Sequence, residues 1–213
     1  MIAAVIFDLD GVLVDSESVW DAVREQITSE SGGRWREHAQ REMMGMSSVE
    51  WARYMHEVLG VPMSPEEISA LVVARLAERY RRDLPLLPGA IEAVRVLAER
   101  WPLGLASSSN RPVIDLVLEV TALGPCFRAT VSSEEVGRGK PAPDVYLEAA
   151  RRLEVEPSAC AAVEDSTNGI RSAKAAAMLV AAIPRPDFPP EPEALETADL
   201  VLSSLTELPE ALA

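Results

Sequence analysis

Residues 5–17 read VIFDLDGVLVDSE and crowd four carboxylates, Asp8, Asp10, Asp15 and Glu17, into thirteen positions directly after an apolar run. An unpaired carboxylate taken out of water is among the costliest things a chain can fold. The run itself, IAAVIFDL at 2–9, is β-branched and apolar without polar alternation, the pattern of a strand covered on both faces. Acids at the end of such a strand imply that something positive meets them there.

Beyond this stretch the pattern changes. Residues 15–83 carry helical periodicity in SVWDAVREQI, SVEWARYMHEVL and PEEISALVVARLAERYRRDL, the last opened by Ser64-Pro65-Glu66-Glu67, a good helix start. No convincing strand interrupts them, so 15–83 reads as a helical insert. After Pro88-Gly89, short apolar runs return: LGLASS (103–108), ATVSS (129–133), CAAVED (160–165), MLVAAI (178–183) and DLVLSS (199–204). Helical stretches, PVIDLVLEVTAL, DVYLEAARRL and GIRSAKAAA, separate the first four. Alternation of this kind predicts right-handed crossovers and an α/β fold. The expected architecture is a Rossmann-like parallel sheet with helices on both faces, built from 1–14 and 84–213, plus a small α-helical domain at 15–83. The segment PRPDFPPEP (184–192) is too rich in proline for regular structure and reads as a surface loop.

The 213 residues, 48% hydrophobic and 25% charged, suit one large globular domain carrying a smaller one. A formal charge of −14 argues against a nucleic-acid partner, because such affinity comes from Lys and Arg against phosphates. Small anionic substrates remain open if a positive centre is supplied locally, and with eighteen arginines against two lysines, Lys140 and Lys174, the setting of each lysine is informative. No stretch reaches the roughly eighteen apolar residues of a membrane span, and Met1 leads straight into the strand-like run without a basic region or cleavage site. The expectation is a cytoplasmic monomer, not bound to membrane, with Cys126 and Cys160 as buried thiols. His38 and His56 lie in the insert, away from every cluster described next.

Ligands of open α/β sheets bind outside the carboxyl ends of the strands. Sorting polar residues by that rule gathers Asp8 and Asp10 from the first strand, Ser107, Ser108, Ser109 and Asn110 after the second, and Glu164, Asp165 and Ser166 after CAAV. The loop beyond ATVSS adds Gly139-Lys140-Pro141. Any one of these acids could cap a helix, but acids from separate strand ends meeting together would repel unless a hard divalent cation neutralised them. Oxygen donors without His or Cys favour magnesium, which usually also holds substrate phosphate.

These residues carry a resemblance. Asp8-Leu9-Asp10-Gly11-Val12 resembles the first motif of the haloacid dehalogenase-like hydrolase superfamily, Ser107 its second, Gly139-Lys140-Pro141 its third, and Glu164-Asp165-Ser166-Thr167-Asn168-Gly169-Ile170 its fourth. Residues 15–83 are similar to the helical cap of the subgroup that inserts it after the first strand, the one containing β-phosphoglucomutase and sugar phosphatases. The resemblance implies a magnesium-dependent phosphatase acting on a small-molecule phosphate ester of the sugar-phosphate kind. Asp8 is then the nucleophile and Asp10 the acid and base. Gly11, Ser107, Ser108 and Lys140 bind the phosphoryl group, and Asp8, the carbonyl of Asp10, Glu164 and Asp165 surround the metal. In the cap, Ser16, Trp20, Gly45 and Arg75 are candidates for substrate contact, with packing for Trp20 and a solvated helix face for Arg75 or Arg79 as the plain alternatives; Asp15 and Glu17 are expected to cap the helix that follows.

Other activities are weaker on the same residues. Members that dehalogenate carbon lack an acid where Asp10 stands, and phosphonate cleavage needs a cap lysine, of which 15–83 has none. Hexose-phosphate mutases carry a His about where Trp20 stands and basic residues beside the glycine of the loop Met43-Met44-Gly45-Met46-Ser47-Ser48, which here has no positive charge. A receiver-type signalling module would accept phosphate on an Asp ending a middle strand, where ATVSS ends in Ser132 and Ser133.

Overall fold

The computed structural model describes residues 1–44 and 46–213. Among them, strands β1 (Ala4–Phe7), β2 (Leu103–Ser107), β3 (Phe127–Ser132), β4 (Cys160–Glu164), β5 (Leu179–Ala182) and β6 (Leu200–Val201) form one sheet. Its order is β3-β2-β1-β4-β5-β6, with every pairing parallel. Val5 lies opposite Leu103 on one side and Ala161 on the other, which makes β1 central and explains why its four residues are fully buried. Strand order reverses at β1 and β4. The loops leaving these two strands therefore part in opposite directions and leave a crevice at the carboxyl edge.

Successive strand residues serve opposite faces. Val5 and Phe7 pack with Leu103, Leu105 and Val163 in one core cluster, whereas Ala4 and Ile6 pack with Ala106, Val131 and Val180 in another. Between β1 and β2 come α1 (Glu17–Glu30), α2 (Ala39–Met43), α3 (Ser48–Glu57), α4 (Pro65–Arg82) and α5 (Ala90–Ala98). The stripe Ile68, Val72, Leu76 and Tyr80 on α4 is spaced by four and buried, and it belongs to the same cluster as Val5 and Phe7. Insert and sheet thus share one apolar interior. Behind the sheet, α7 (Asp144–Leu153) and α8 (Thr167–Ala175) cover the second face; α6 (Arg111–Thr121) joins the first. At the start of α4, the Glu67 N–H donates to Ser64 Oγ at 3.2 Å while the Ser64 N–H donates to Glu67 Oε2 at 2.8 Å, the reciprocal cap its sequence predicts.

Departures from the sequence pattern have local causes. β1 stops at Phe7 because the chain then folds into a tight turn, with the N–H groups of Leu13 and Val14 both donating to the Leu9 carbonyl. β6 is confined to Leu200–Val201 at the sheet edge: before it, Asp199 turns its carboxylate to the Val180 N–H and Lys174, and after it Ser204 caps a short turn. Both cysteines are free thiols, and no helix among the described residues is long and apolar enough to cross a membrane.

Candidate active site

The crevice where strand order reverses is occupied by Asp8, Lys140, Glu164 and Asp165. Lys140 Nζ stands 2.9 Å from Asp8 Oδ1 and 2.6 Å from Glu164 Oε1, with side-chain exposures of 3%, 9% and 0%. Burial acts to lower the Lys140 pKa, but Asp8 and Glu164 outweigh it and the net shift is upward, so the ammonium keeps its proton. Glu164 is saturated. Its Oε1 accepts from Lys140 and, at 2.7 Å, from Tyr146 Oη, while Oε2 accepts the N–H groups of Asp165 and Ser166 and the Ser166 hydroxyl.

Asp8 and Asp165 are different. Burial, with the neighbouring Glu164 carboxylate adding to it, pushes both carboxyls up from the ordinary range, and Lys140 opposes this without cancelling it. Asp8 Oδ1 faces Lys140 as an ion pair without hydrogen-bond alignment, and Asp165 Oδ1 is buried with no partner. Carboxylate oxygens of Asp8, Glu164 and Asp165 lie within 4.8 Å of one another. Two under-satisfied oxygens in an all-oxygen setting fit a hard cation such as magnesium. Asp8 and Asp165 carry the under-satisfied oxygens of the cluster, and Glu164 completes it while also accepting from Lys140.

Two glycines make this crowding possible. A Cβ on Gly11, whose φ is +77°, would fall 1.9 Å from Asp165 Oδ2, and one on Gly169 would fall 1.8 Å from Glu164 Oε1. The Gly11 N–H donates to the Val14 carbonyl at 2.8 Å within the turn that its positive φ allows, and the missing side chain leaves the room that Asp165 fills.

Asp10 points its carboxylate across the crevice. Oδ2 accepts from Ser109 Oγ at 2.6 Å and from Ser107 Oγ at 3.4 Å, and Oδ1 accepts from Trp20 Nε1 at 3.1 Å. Ser108 and Ser109 line the cavity above Asp8. Ser107 is fully buried beneath it, with its Oγ accepting the Ser109 N–H at 2.9 Å, and is not on the cavity wall.

The cavity is about 530 Å³, and its opposite wall comes from the insert: Glu17, Trp20, Arg24, Arg41, Met43 and Trp51. Trp20 lines the cavity and donates to Asp10. Glu17 opens α1 and lines the cavity, its carboxyl pushed up to about 7 by burial and by Asp10, while Asp15 pairs with Arg185 at 3.0 Å; neither side chain caps the helix, whose N-cap is Ser16. Ser16 is itself fully buried and off the cavity wall. Arg75 is also off it, on the outer face of α4 and 2.5 Å from Glu30; the helix rotation that buries Val72 and Leu76 turns Arg75 to solvent. Gly45 lies outside the described residues. The loop at 43–48 carries no positive charge, as its sequence reads, but the insert brings cations to the cavity from elsewhere, Arg24 from α1 and Arg41 from α2.

Sequence reasoning missed Arg24, and it missed the wall made by Asp187 to Glu191 from the proline-rich loop. The loop follows β5 at the same carboxyl edge, so the strand-end rule that found Asp8 and Asp165 could have found it. Trp51, within the helical pattern SVEWARYMHEVL, is buried and lines the cavity as well.

A six-stranded parallel sheet, a helical insertion after its first strand and acids with one lysine at the switch point define a hydrolase class. The chain belongs to the haloacid dehalogenase-like hydrolase family, whose model matches residues 2–177. It is 37% identical over 211 residues to hexitol phosphatase B of Escherichia coli (strain K12), covering 97% of this chain and 94% of the relative. It is 32% identical over 174 residues to the phosphorylated carbohydrates phosphatase of Thermotoga maritima, covering 81% of each. Among solved structures, a mutant of CbbY from Rhodobacter sphaeroides in complex with xylulose-(1,5)-bisphosphate superposes with a TM-score of 0.84 at 25% identity, over 98% of this chain and 96% of that one. The protein is thus a haloacid dehalogenase-like hydrolase whose relatives are phosphatases.

Proposed function

We propose that the protein is a magnesium-dependent phosphomonoesterase that hydrolyses a small phosphorylated metabolite, a sugar or sugar-alcohol phosphate, through an aspartyl-phosphate on Asp8. Residues 15–83 act as the cap and residues 1–14 with 84–213 as the catalytic core, in the cytoplasm. The observation that carries this reading is the pair of buried, under-satisfied oxygens on Asp8 and Asp165 beside the Lys140 ammonium.

In this mechanism Asp8 attacks phosphorus in line, forming a carboxylate–phosphorus bond as the bond to the leaving oxygen breaks. Asp10, steered by Ser109 and Trp20, protonates that oxygen and then takes the proton of the water that cleaves the aspartyl-phosphate. Lys140, anchored by Glu164, and Ser108 hold the equatorial phosphoryl oxygens. Magnesium, held by Asp8, Asp165 and the Asp10 carbonyl, would offset charge between phosphate and carboxylates. The cap excludes water and reads the leaving group.

The test is hydrolysis of p-nitrophenyl phosphate with and without magnesium. Turnover that needs the metal and disappears in Asp8→Asn, with an unchanged circular dichroism spectrum, is expected; activity surviving that substitution refutes the nucleophile. A second reading, a mutase of the β-phosphoglucomutase type, gains from Arg24 and Arg41, cations that a second phosphate could use. It requires that a hexose bisphosphate prime isomerisation of a hexose 1-phosphate, and absence of any isomer eliminates it.

A further inference from the structure

Arg24 is a buried cation that chemistry at Asp8 does not use. It is 7% exposed, and its guanidinium carbon sits 4.8 Å from the ring centre of Trp20 and 4.9 Å from that of Trp51. Both indoles are themselves held, Trp20 by Asp10 and Trp51 by burial at 2% exposure. The indoles hold the guanidinium in place but satisfy none of its N–H donors. Among the described residues Arg24 makes no ion pair and no side-chain hydrogen bond, and its Nε is buried without a partner. Burial lowers its pKa to about 10 against the pull of Glu17, Asp10 and Asp21, so it stays charged near neutrality. A charged guanidinium with its donors empty in the wall of a cavity is a costly arrangement unless ligand oxygens fill them.

We propose that Arg24 determines specificity: it donates hydrogen bonds to oxygens of the substrate's leaving group while Glu17 accepts from hydroxyls of the same group, and that group is an uncharged, polyhydroxylated chain. This rests on the phosphatase reading above. A neutral far end follows from the charge lining the cavity: six carboxylates, of which Glu191 is paired with Arg171, stand against three cations. A second phosphate would add to a negative surplus that the first phosphate and one divalent metal do not remove. A hydroxyl is both donor and acceptor, so Glu17 and Arg24 together satisfy it without new charge.

The experiment compares kcat/KM for hexitol 6-phosphates, a hexose 1,6-bisphosphate and p-nitrophenyl phosphate, in wild type, Arg24→Met, Arg24→Lys and Glu17→Gln. Methionine keeps an unbranched stem between the indoles and removes the donors. In Arg24→Met the ratio of hexitol phosphate to p-nitrophenyl phosphate activity should fall roughly 10- to 100-fold, the size of one or two hydrogen bonds to a charged group, and Arg24→Lys should recover part of it. Glu17→Gln should lower the same ratio about tenfold and carries the test if Arg24→Met does not fold. Wild type should prefer the monophosphate over the bisphosphate. Equal losses on both monoesters would make Arg24 merely structural and overturn the proposal, as would a preference for the bisphosphate. Wild type that cleaves p-nitrophenyl phosphate but no hexitol phosphate overturns the polyol assignment alone, whereas wild type inactive on every ester overturns the phosphatase reading beneath it.

Discussion

Single atoms decide how tightly the acids can crowd. Gly169→Ala puts a methyl group where the Glu164 carboxylate lies, so Glu164 must move and release Lys140. The variant should lose about 1–3 kcal/mol of stability in urea unfolding. Magnesium-dependent turnover should fall with it, and a variant matching wild type in both would show that Lys140 does not need Glu164. Glu17 sets a pH dependence. Its folded pKa of about 7 lies above the ordinary 4.5, so its stabilising contribution is full below 4.5 and is lost as pH rises through 7. In metal-free buffer, Glu17→Gln should therefore be more stable than wild type at pH 8, by at most about 3 kcal/mol and less where solvent reaches the carboxylate. A lower melting temperature for the variant at pH 8 would contradict this. Asp8 and Asp165 were legible in the sequence because each follows directly on a strand, and Lys140 because it is one of only two lysines and lies in the loop beyond β3. Arg24 was not: its setting depends on Trp20 one helical turn away and on Trp51 from another helix, a meeting that no local spacing encodes.

Among elements, the tie between insert and sheet runs through Glu134, on the turn after β3. Its Oε1 accepts from Ser48 Oγ on α3 at 3.0 Å and from Asn110 Nδ2 at 2.8 Å, and Oε2 accepts the Arg111 N–H opening α6. Asn110 also donates to Ser69 Oγ on α4 at 3.2 Å. Glu134→Ala strands several donors, and the expected outcome is a loss of about 1–3 kcal/mol with KM raised more than kcat is lowered. Unchanged KM would separate this contact from substrate capture. At this scale the sequence read well where periodicity is strong: α7 matches its predicted limits, and α4 starts at its predicted cap. It read poorly where side chains compete with backbone, as Asp199 does before β6, and where proline hides a wall that tertiary contacts order, with Glu191 held by Arg171 and Thr167.

For the molecule as a whole, the reversal of strand order at β1 and β4 is what brings residues from positions 8 and 165 to one point. Alternating strands and helices announced a parallel sheet, but strand order came only with the coordinates, because several orders satisfy the same alternation. A chain of charge −14 that buries three acids together is held back by their repulsion, so a bound cation should stabilise it globally. At about 100 times its dissociation constant, magnesium should add roughly 2.7 kcal/mol, seen as a raised melting temperature. Asp165→Asn should abolish that rise, and a rise that persists would put the cation elsewhere. The most direct measurement is the mass of the Asp8-bearing peptide after brief reaction with excess phosphate monoester and magnesium, followed by acid quench. One phosphoryl group on Asp8, absent in Asp8→Asn, is the expected result; turnover with an unmodified Asp8 peptide and phosphoryl on another residue would contradict it.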